Sequence, residues 1–243
     1  MKHAGTVAIL VTFVAALSMA LMLFGARIGV WEPITGFGLY RTYFNPLGMI
    51  MVALGLVALV AHTVRKEKPK AVLGGVIMIF GVVCLVPLIT SSLNPKPRAA
   101  PIHNISTDTE NPPAFLVLDE SRSGARNPLE YGGPDQAAAQ TTAYPDIAPL
   151  ETDLTADAAY LRAMDVAQSL KWDIVASDED NHRFEATART SVFYFADDVV
   201  IVVTPQESGS RVDMRSVSRV GRSDQGVNAA RIRSFQKQFE ENT

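Results

Sequence analysis

The sequence predicts an α-helical membrane anchor of three transmembrane helices followed by a soluble α+β domain, a two-layer sandwich of one antiparallel sheet and two helices. Three observations carry this reading. The charge changes sign along the chain: residues 1–100 hold nine Lys/Arg against two acids, and residues 101–243 hold thirteen against twenty-three. Three apolar runs without Asp, Glu, Lys or Arg lie in the first part. From Thr152 onward, helical and strand periods follow one another in short segments. A basic, apolar first part joined to a polar, acidic second part is the pattern of an anchor plus a water-soluble domain.

The apolar runs are Gly5–Ala26, Leu47–Val64 and Ala71–Thr90. At 1.5 Å per helical residue, about 20 residues match a hydrocarbon core of roughly 30 Å. Lys2 and the small residues Ala20 and Ala26 also suit a cleaved signal peptide, but the first run exceeds the usual apolar region of such a leader and two further runs follow. The segment Arg65-Lys66-Glu67-Lys68-Pro69-Lys70 concentrates positive charge, which places it in the cytoplasm. With three spans, the amino terminus is then cytoplasmic, the 27–46 loop outside, and the carboxyl-terminal domain periplasmic, as expected of a multi-pass inner (plasma) membrane protein. Arg27 and Arg41 run against this orientation and are outnumbered. The outer loop carries Trp31, Phe37, Tyr40, Tyr43 and Phe44, read as an interfacial anchor, with a re-entrant segment as the alternative. The absence of ionisable Asp, Glu, Lys or Arg from the runs argues against an ion-coupled transporter. Pro87 predicts a kink, and Gly74 and Gly75 permit close helix packing.

The chain divides into 1–93, the membrane region; 94–150, an extended Pro-rich linker; and 151–243, the periplasmic α+β domain. Within 99–150 many prolines and little periodicity predict irregular structure. Ile102, Phe115, Leu116, Tyr144 and Ile147 would anchor it as a wrap over the domain. Thr155 caps a helix over 156–170 with the stripe Ala159, Tyr160, Ala163, Val166, Ala167 and Leu170. Strands are expected at 172–176, 183–189, 192–196, 199–204 and 211–219, with Asp197-Asp198 as a turn. In the last strand Val212, Met214, Ser216 and Ser218 face one way and Arg211, Asp213, Arg215 and Arg219 the other. Ser223 or Asp224 caps a final helix to about Glu241 that buries Val227, Ile232, Phe235 and Phe239.

The richest segment for function is Ser216-Val-Ser-Arg-Val-Gly-Arg-Ser-Asp-Gln-Gly-Val-Asn-Ala-Ala-Arg-Ile232. Together with Pro101-Ile102-His103, Thr107-Asp108, Asn111-Pro112-Pro113-Ala114-Phe115, Tyr144-Pro145, Ala188-Arg189-Thr190 and Asp197-Asp198-Val199, it resembles the domain of unknown function 1499 family of bacterial and plastid envelope proteins, over residues 101–239. Asn104 stands where the family pattern has an acid after the histidine, so no His–acid pair is carried over. The resemblance implies domain limits and an envelope location, and no activity.

Physically, Arg219, Arg222, Ser223, Asp224, Asn228 and Arg231 gather guanidinium groups around a helix start, an arrangement suited to a phosphate or carboxylate. The same residues also serve as a cap and turn, with the arginines paired to Asp197, Asp198 or Asp213. Asp197-Asp198 as a carboxylate pair, or His103 with Asp108 and Ser106, would be the catalytic candidates of an envelope hydrolase; no catalytic residue is assigned. The lone Cys84 and the scattered His3, His62, His103 and His182 build no metal site, and no cofactor is expected. The expected function is binding of an anionic envelope component or a protein partner, with the hydrolase and a membrane-complex scaffold as alternatives. Membrane lipids and other envelope proteins are the expected partners. Nucleic acid is not, for so acidic a domain.

Overall fold

A computed structural model describes residues 4–95 and 99–241 and resolves two compact units. One comprises Met1–Pro97 and Ser191–Tyr194, the other Arg98–Thr190 and Phe195–Thr243. Of the extended linker expected from residue 94 onward, Lys96-Pro97-Arg98 lies outside the described residues.

The helical unit contains α1 (Ala4–Phe24), α2 (Pro33–Leu39), a π-helical turn (Tyr40–Phe44), α3 (Asn45–Val64) and α4 (Lys68–Leu93). Among the described residues two helices, where three are expected, are long and apolar enough to cross a membrane: the continuous stretch Pro33–Val64, and Lys68–Leu93. In the first run, α1 extends over Ala4–Phe24, and its described apolar part is Leu10–Phe24. The 27–46 segment, expected as a loop, is helical from Pro33, so α2, the π turn and α3 form one rod. Pro46 lacks an N–H and crowds the carbonyl four residues back; the wider π turn just before it accommodates that clash without ending the helix. Trp31, expected as an interfacial anchor, is wedged between Gly25 and Gly36, where an added Cβ would lie 2.7 Å and 2.6 Å from its ring.

α3 and α4 pack through glycines spaced seven apart, Gly48 and Gly55 against Gly74 and Gly81. A Cβ on Gly55 would sit 2.4 Å from the Met78 nitrogen, and one on Gly74 2.5 Å from that of Leu59. Gly75, by contrast, would meet only a side-chain carbon of Leu59 at 3.9 Å. Backbone-to-backbone approach of this kind needs residues without side chains on both helices.

The second unit is an antiparallel sheet with helices on one face. Its elements are β1 (Asn104–Ser106), α5 (Gly133–Ala143), β2 (Leu150–Thr152), α6 (Ala156–Ser169), β3 (Asp173–Asp178), β4 (Arg183–Arg189), β5 (Ala196–Pro205), β6 (Ser210–Ser218) and α7 (Val227–Glu241). The strands run in the order β1-β6-β5-β4-β3, and β2 joins β1 along the free edge of β6. Gln140 of α5 protects the edge beyond β1, its side-chain amide accepting from Ser106 N and donating to Ser106 O. The stretch 94–150, expected as an extended linker, thus supplies β1, α5 and the first residue of β2 to the domain.

Alternation along the strands sorts the residues. Phe184, Ala186, Val199, Ile201, Val203, Val212 and Met214 meet Ala159, Tyr160, Ala163, Val166 and Ala167 of α6 and Ile232, Phe235 and Phe239 of α7 in one core. Trp172 stacks on Phe235 with centroids 5.7 Å apart. Thr155 caps α6, its hydroxyl accepting from Ala158 N. Val227 is 37% exposed rather than buried, and Asn228 and Ala229 turn inward instead.

Two expectations are corrected. Residues 192–195 are not a strand: Tyr194 adopts a positive φ in the connecting turn, and β5 begins at Ala196. Asp197 and Asp198 are accordingly not a turn but lie buried within β5, because the ion pairs described below replace the solvent that a doublet of acids ordinarily requires. The sheet's second face is covered as well. The irregular chain 107–131 lies across it, since this face carries Glu185, Thr187, Asp198, Asp213 and Arg215, all at most 9% exposed and needing partners.

The glycine contacts give a direct test. Gly55→Ala should cost about 1–3 kcal/mol through overpacking, read as a drop in unfolding temperature of the purified protein in detergent; Gly75→Ala should leave it unchanged.

Candidate functional site

The junction from β6 to α7 holds the six residues that the sequence singles out, and the structure distributes them over two faces of the sheet. On the helix face, Ser216, Ser218 and Asp197 point toward α7. Asn228 donates through its amide to Ser218 Oγ and to the His103 carbonyl, both at 2.9 Å, and accepts from Ser216 Oγ at 2.8 Å. Arg231 donates to Asn228 Oδ1, to Ser216 Oγ at 2.9 Å and to the Asp197 carboxylate. Asp224 caps the helix, with one oxygen accepting from Gly226 N and the other from Asn228 N. Burial, reinforced by the neighbouring charge of Asp197, pushes its carboxyl above the usual range despite those two N–H donors. Ser223 donates to the Ala100 carbonyl and accepts from Gln225 N.

On the opposite face, Arg219 grips Asp198 with Nε at 3.0 Å and Nη2 at 2.7 Å, and also donates to Thr187 Oγ1 and the Ser123 carbonyl. Asp198 is fully buried and receives a second guanidinium, Arg122 Nε at 2.7 Å. Arg122 in turn reaches Glu120 and the carbonyls of Asp119 and Asn127. The paired carboxylates Asp197 and Asp198 therefore point to opposite sides of β5, Asp197 held by Arg231 and Asp198 by Arg219 and Arg122. Successive strand residues cannot converge on one reacting atom.

Arg222 differs from the other five. It is exposed, and among the described residues it makes no hydrogen bond or ion pair. The loop beside it is fixed: Asn127 donates through its amide to the carbonyls of Ser218 and Gly221, both at 2.8 Å, and Arg126 N and Asn127 N donate to the Arg219 carbonyl.

His103, Ser106 and Asp108 do not form a nucleophile–base set. Burial pulls the His103 ring below the usual imidazole range, with Asp224 opposing the shift. Asp108 accepts from Glu110 N and Asn111 N and pairs with Arg211 at 2.6 Å. Ser106 lies opposite Arg215 in the β1–β6 register. Among the described residues no group of three or more His, Cys, Asp or Glu is placed to hold a metal ion.

A protein-family model described as "protein of unknown function (DUF1499)" matches residues 104–239. The chain belongs to this family. A search of the curated proteins finds no match. The DUF1499 region takes in the whole sheet and all but the last residues of α7, so the motif Ser216–Ile232 lies within the family domain.

Several residues that organise this DUF1499 domain were invisible to sequence reasoning. Arg122 comes from an aperiodic stretch, and nothing near it in the chain points to Asp198. Glu185 accepts from the backbone N–H groups of Leu116, Val117 and Leu118. Arg215 is 4% exposed and has no carboxylate partner among the described residues; it donates to Asn104 Oδ1, Pro113 O and Leu129 O and lies against the rings of Phe115 and Tyr131. Desolvation lowers its pKa to about 10, so the cation persists at neutral pH. The available signal was the polar alternation of β4 and β6, which reads equally well as a solvated face.

Two measurements follow. Arg219→Ala leaves buried Asp198 with one guanidinium and should cost about 3 kcal/mol or more in the unfolding free energy of the full chain, whereas Arg222→Ala should stay within about 0.5 kcal/mol. His103, with a folded pKa below its unfolded value of about 6.5, contributes stability that is complete above that value. It is lost as pH falls from there through the folded pKa, because the unfolded chain takes up the proton first. His103→Gln should flatten the unfolding temperature against pH in that window.

Proposed function

We propose that this DUF1499 protein is a multi-pass inner-membrane protein with three spans, a cytoplasmic amino terminus and a periplasmic domain that binds an anionic envelope component or protein partner through the exposed Arg222. What supports a membrane location is the surface of the two long apolar helices. Only 17% of each apolar window is buried, and Val57, Val72, Ile79 and Val83 are each more than half exposed. Water does not tolerate such a continuous apolar surface, and lipid does. The basic segment Arg65–Lys70 supports the orientation. The first run would complete a third span from the amino-terminal side.

The observation that carries the binding reading is the contrast among the arginines of the motif. Arg219 and Arg231 are neutralised by Asp198 and Asp197, while Arg222 presents its charge to solvent next to a rigid turn. An uncompensated guanidinium is a ready partner for a phosphate or carboxylate. The hydrolase alternative needs carboxylates that converge, and Asp197 and Asp198 diverge. The scaffold alternative rests on small residues in the spans, and Gly74 is spent on packing α4 against α3 within the chain.

Native mass spectrometry of the protein extracted with its own membrane tests the reading. A bound anionic lipid, metabolite or protein should leave on Arg222→Glu while the unfolding temperature holds; an unchanged set of bound species would overturn it. Alkaline phosphatase fused after Thr243 should be active only if the carboxyl-terminal domain is periplasmic.

A further inference from the structure

The irregular chain across the sheet's outer face ends in an apolar tip. Leu116 and Val117 are 68% and 57% exposed, although they lie in a domain whose other large apolar side chains are mostly buried. The stretch Pro112-Pro113-Ala114-Phe115-Leu116-Val117-Leu118 carries no charge. The N–H groups of its exposed end are turned inward. The N–H groups of Leu116 and Leu118 donate to the buried Glu185 carboxylate at 2.5 Å and 2.7 Å, and that of Val117 to both its oxygens at 3.2 Å. The carbonyls of Pro113 and Ala114 accept from Arg215 Nη1 at 3.0 Å and Arg183 Nη2 at 2.6 Å.

We propose that Leu116 and Val117 form a lipid-contacting tip that enters the interfacial region of a phospholipid bilayer. Entry into an apolar medium is opposed chiefly by backbone donors and acceptors that lose water. Here the three N–H donors of the tip and the two carbonyls that precede it already have protein partners, so the side chains can leave bulk water without stranding an N–H, and the carbonyls of the tip keep the water of the interfacial region. The tip is also fixed in place by Glu185, Arg183 and Arg215, which removes the ordering cost that a mobile loop would meet on binding. The covalent path confines the domain to the neighbourhood of a bilayer, because the chain between Leu93 of α4 and Asn104 of β1 spans at most roughly 40 Å when fully extended. The acids that follow do not reach into the tip: Glu120 is tied to Leu129 N and Arg122, and Asp119 to Ser121.

This inference rests on the membrane location proposed above, and the experiment separates the two. The full chain with Cys84→Ser is reconstituted into nanodiscs of phosphatidylethanolamine and phosphatidylglycerol. A nitroxide is attached in turn at Val117→Cys, at Gln206→Cys in the exposed turn before β6, and at Val57→Cys on the exposed side of α3. Relaxation by oxygen, which concentrates in lipid, is compared with relaxation by a neutral water-soluble nickel chelate. The expected result is that the label at 117 shifts toward oxygen as the one at 57 does, while that at 206 stays with nickel. The shift should disappear on adding Leu116→Ser with the unfolding temperature unchanged. A lipid signal at 57 together with a water signal at 117 would overturn the tip and leave the membrane location standing; a water signal at both would overturn the membrane location and the tip with it. Shielding at 117 that arises only in native membrane extracts, and not in pure lipid, would assign the tip to a protein and reject the bilayer.

Discussion

The DUF1499 domain depends on the neutralisation of charge buried on the outer face of its central strands. Asp198 is fully buried, and a bare carboxylate there would cost several kcal/mol. Arg219 comes from the end of β6 and Arg122 from the chain 76 residues earlier, so the carboxylate ties the sheet to the segment that covers it. Glu185 and Arg215 repeat the device with the components exchanged. One is an anion bound by backbone N–H groups, the other a cation bound by carbonyls and aromatic faces. All three join a regular sheet to an irregular strap by charge-assisted hydrogen bonds, which are about twice as strong as neutral ones.

This arrangement explains how a stretch dense in proline holds one conformation. A proline-rich segment forms few backbone ladders of its own and buries little apolar surface, so its order has to come from elsewhere. The sheet supplies it through directional partners at fixed positions. The opposite face works by a different principle. There the apolar residues of α6 and α7 fill a conventional core, and polar groups enter only at the junction where Asn228 and Arg231 bind Ser216, Ser218 and Asp197. Asp224 then fixes where α7 begins, so the turn is held from both faces of the sheet. The arginine left over, Arg222, is the one whose charge remains available.

In the helical unit the constraint is steric rather than electrostatic. Glycines at matching intervals let α3 and α4 approach to backbone contact, and the π turn lets one rod continue through Pro46. Apolar side chains then remain on the outside, as suits helices that bury so little of themselves.

The sequence by itself determined the local features. The helical stripe of α6, the cap at Thr155, the strand Arg183–Arg189, the two faces of β6 and the apolar helices are all visible, because spacing of 3.6 or 2 and turn chemistry act over a few residues. It also placed the chain in its family through the motif at the end of β6. The candidate site was half legible: the residues were identified, and so was the possibility that Asp197 and Asp198 hold the arginines. Tertiary structure decided which possibility applies. Whether an acid doublet turns the chain or lies buried depends on whether a guanidinium arrives, and Arg122 and Arg231 arrive from 76 residues before Asp198 and 34 residues after Asp197. The same holds for the strap, whose partners Glu185, Arg183 and Arg215 lie on strands it never adjoins in sequence. Partnering over such separations leaves no local period to read, and only the folded chain brings the charges together.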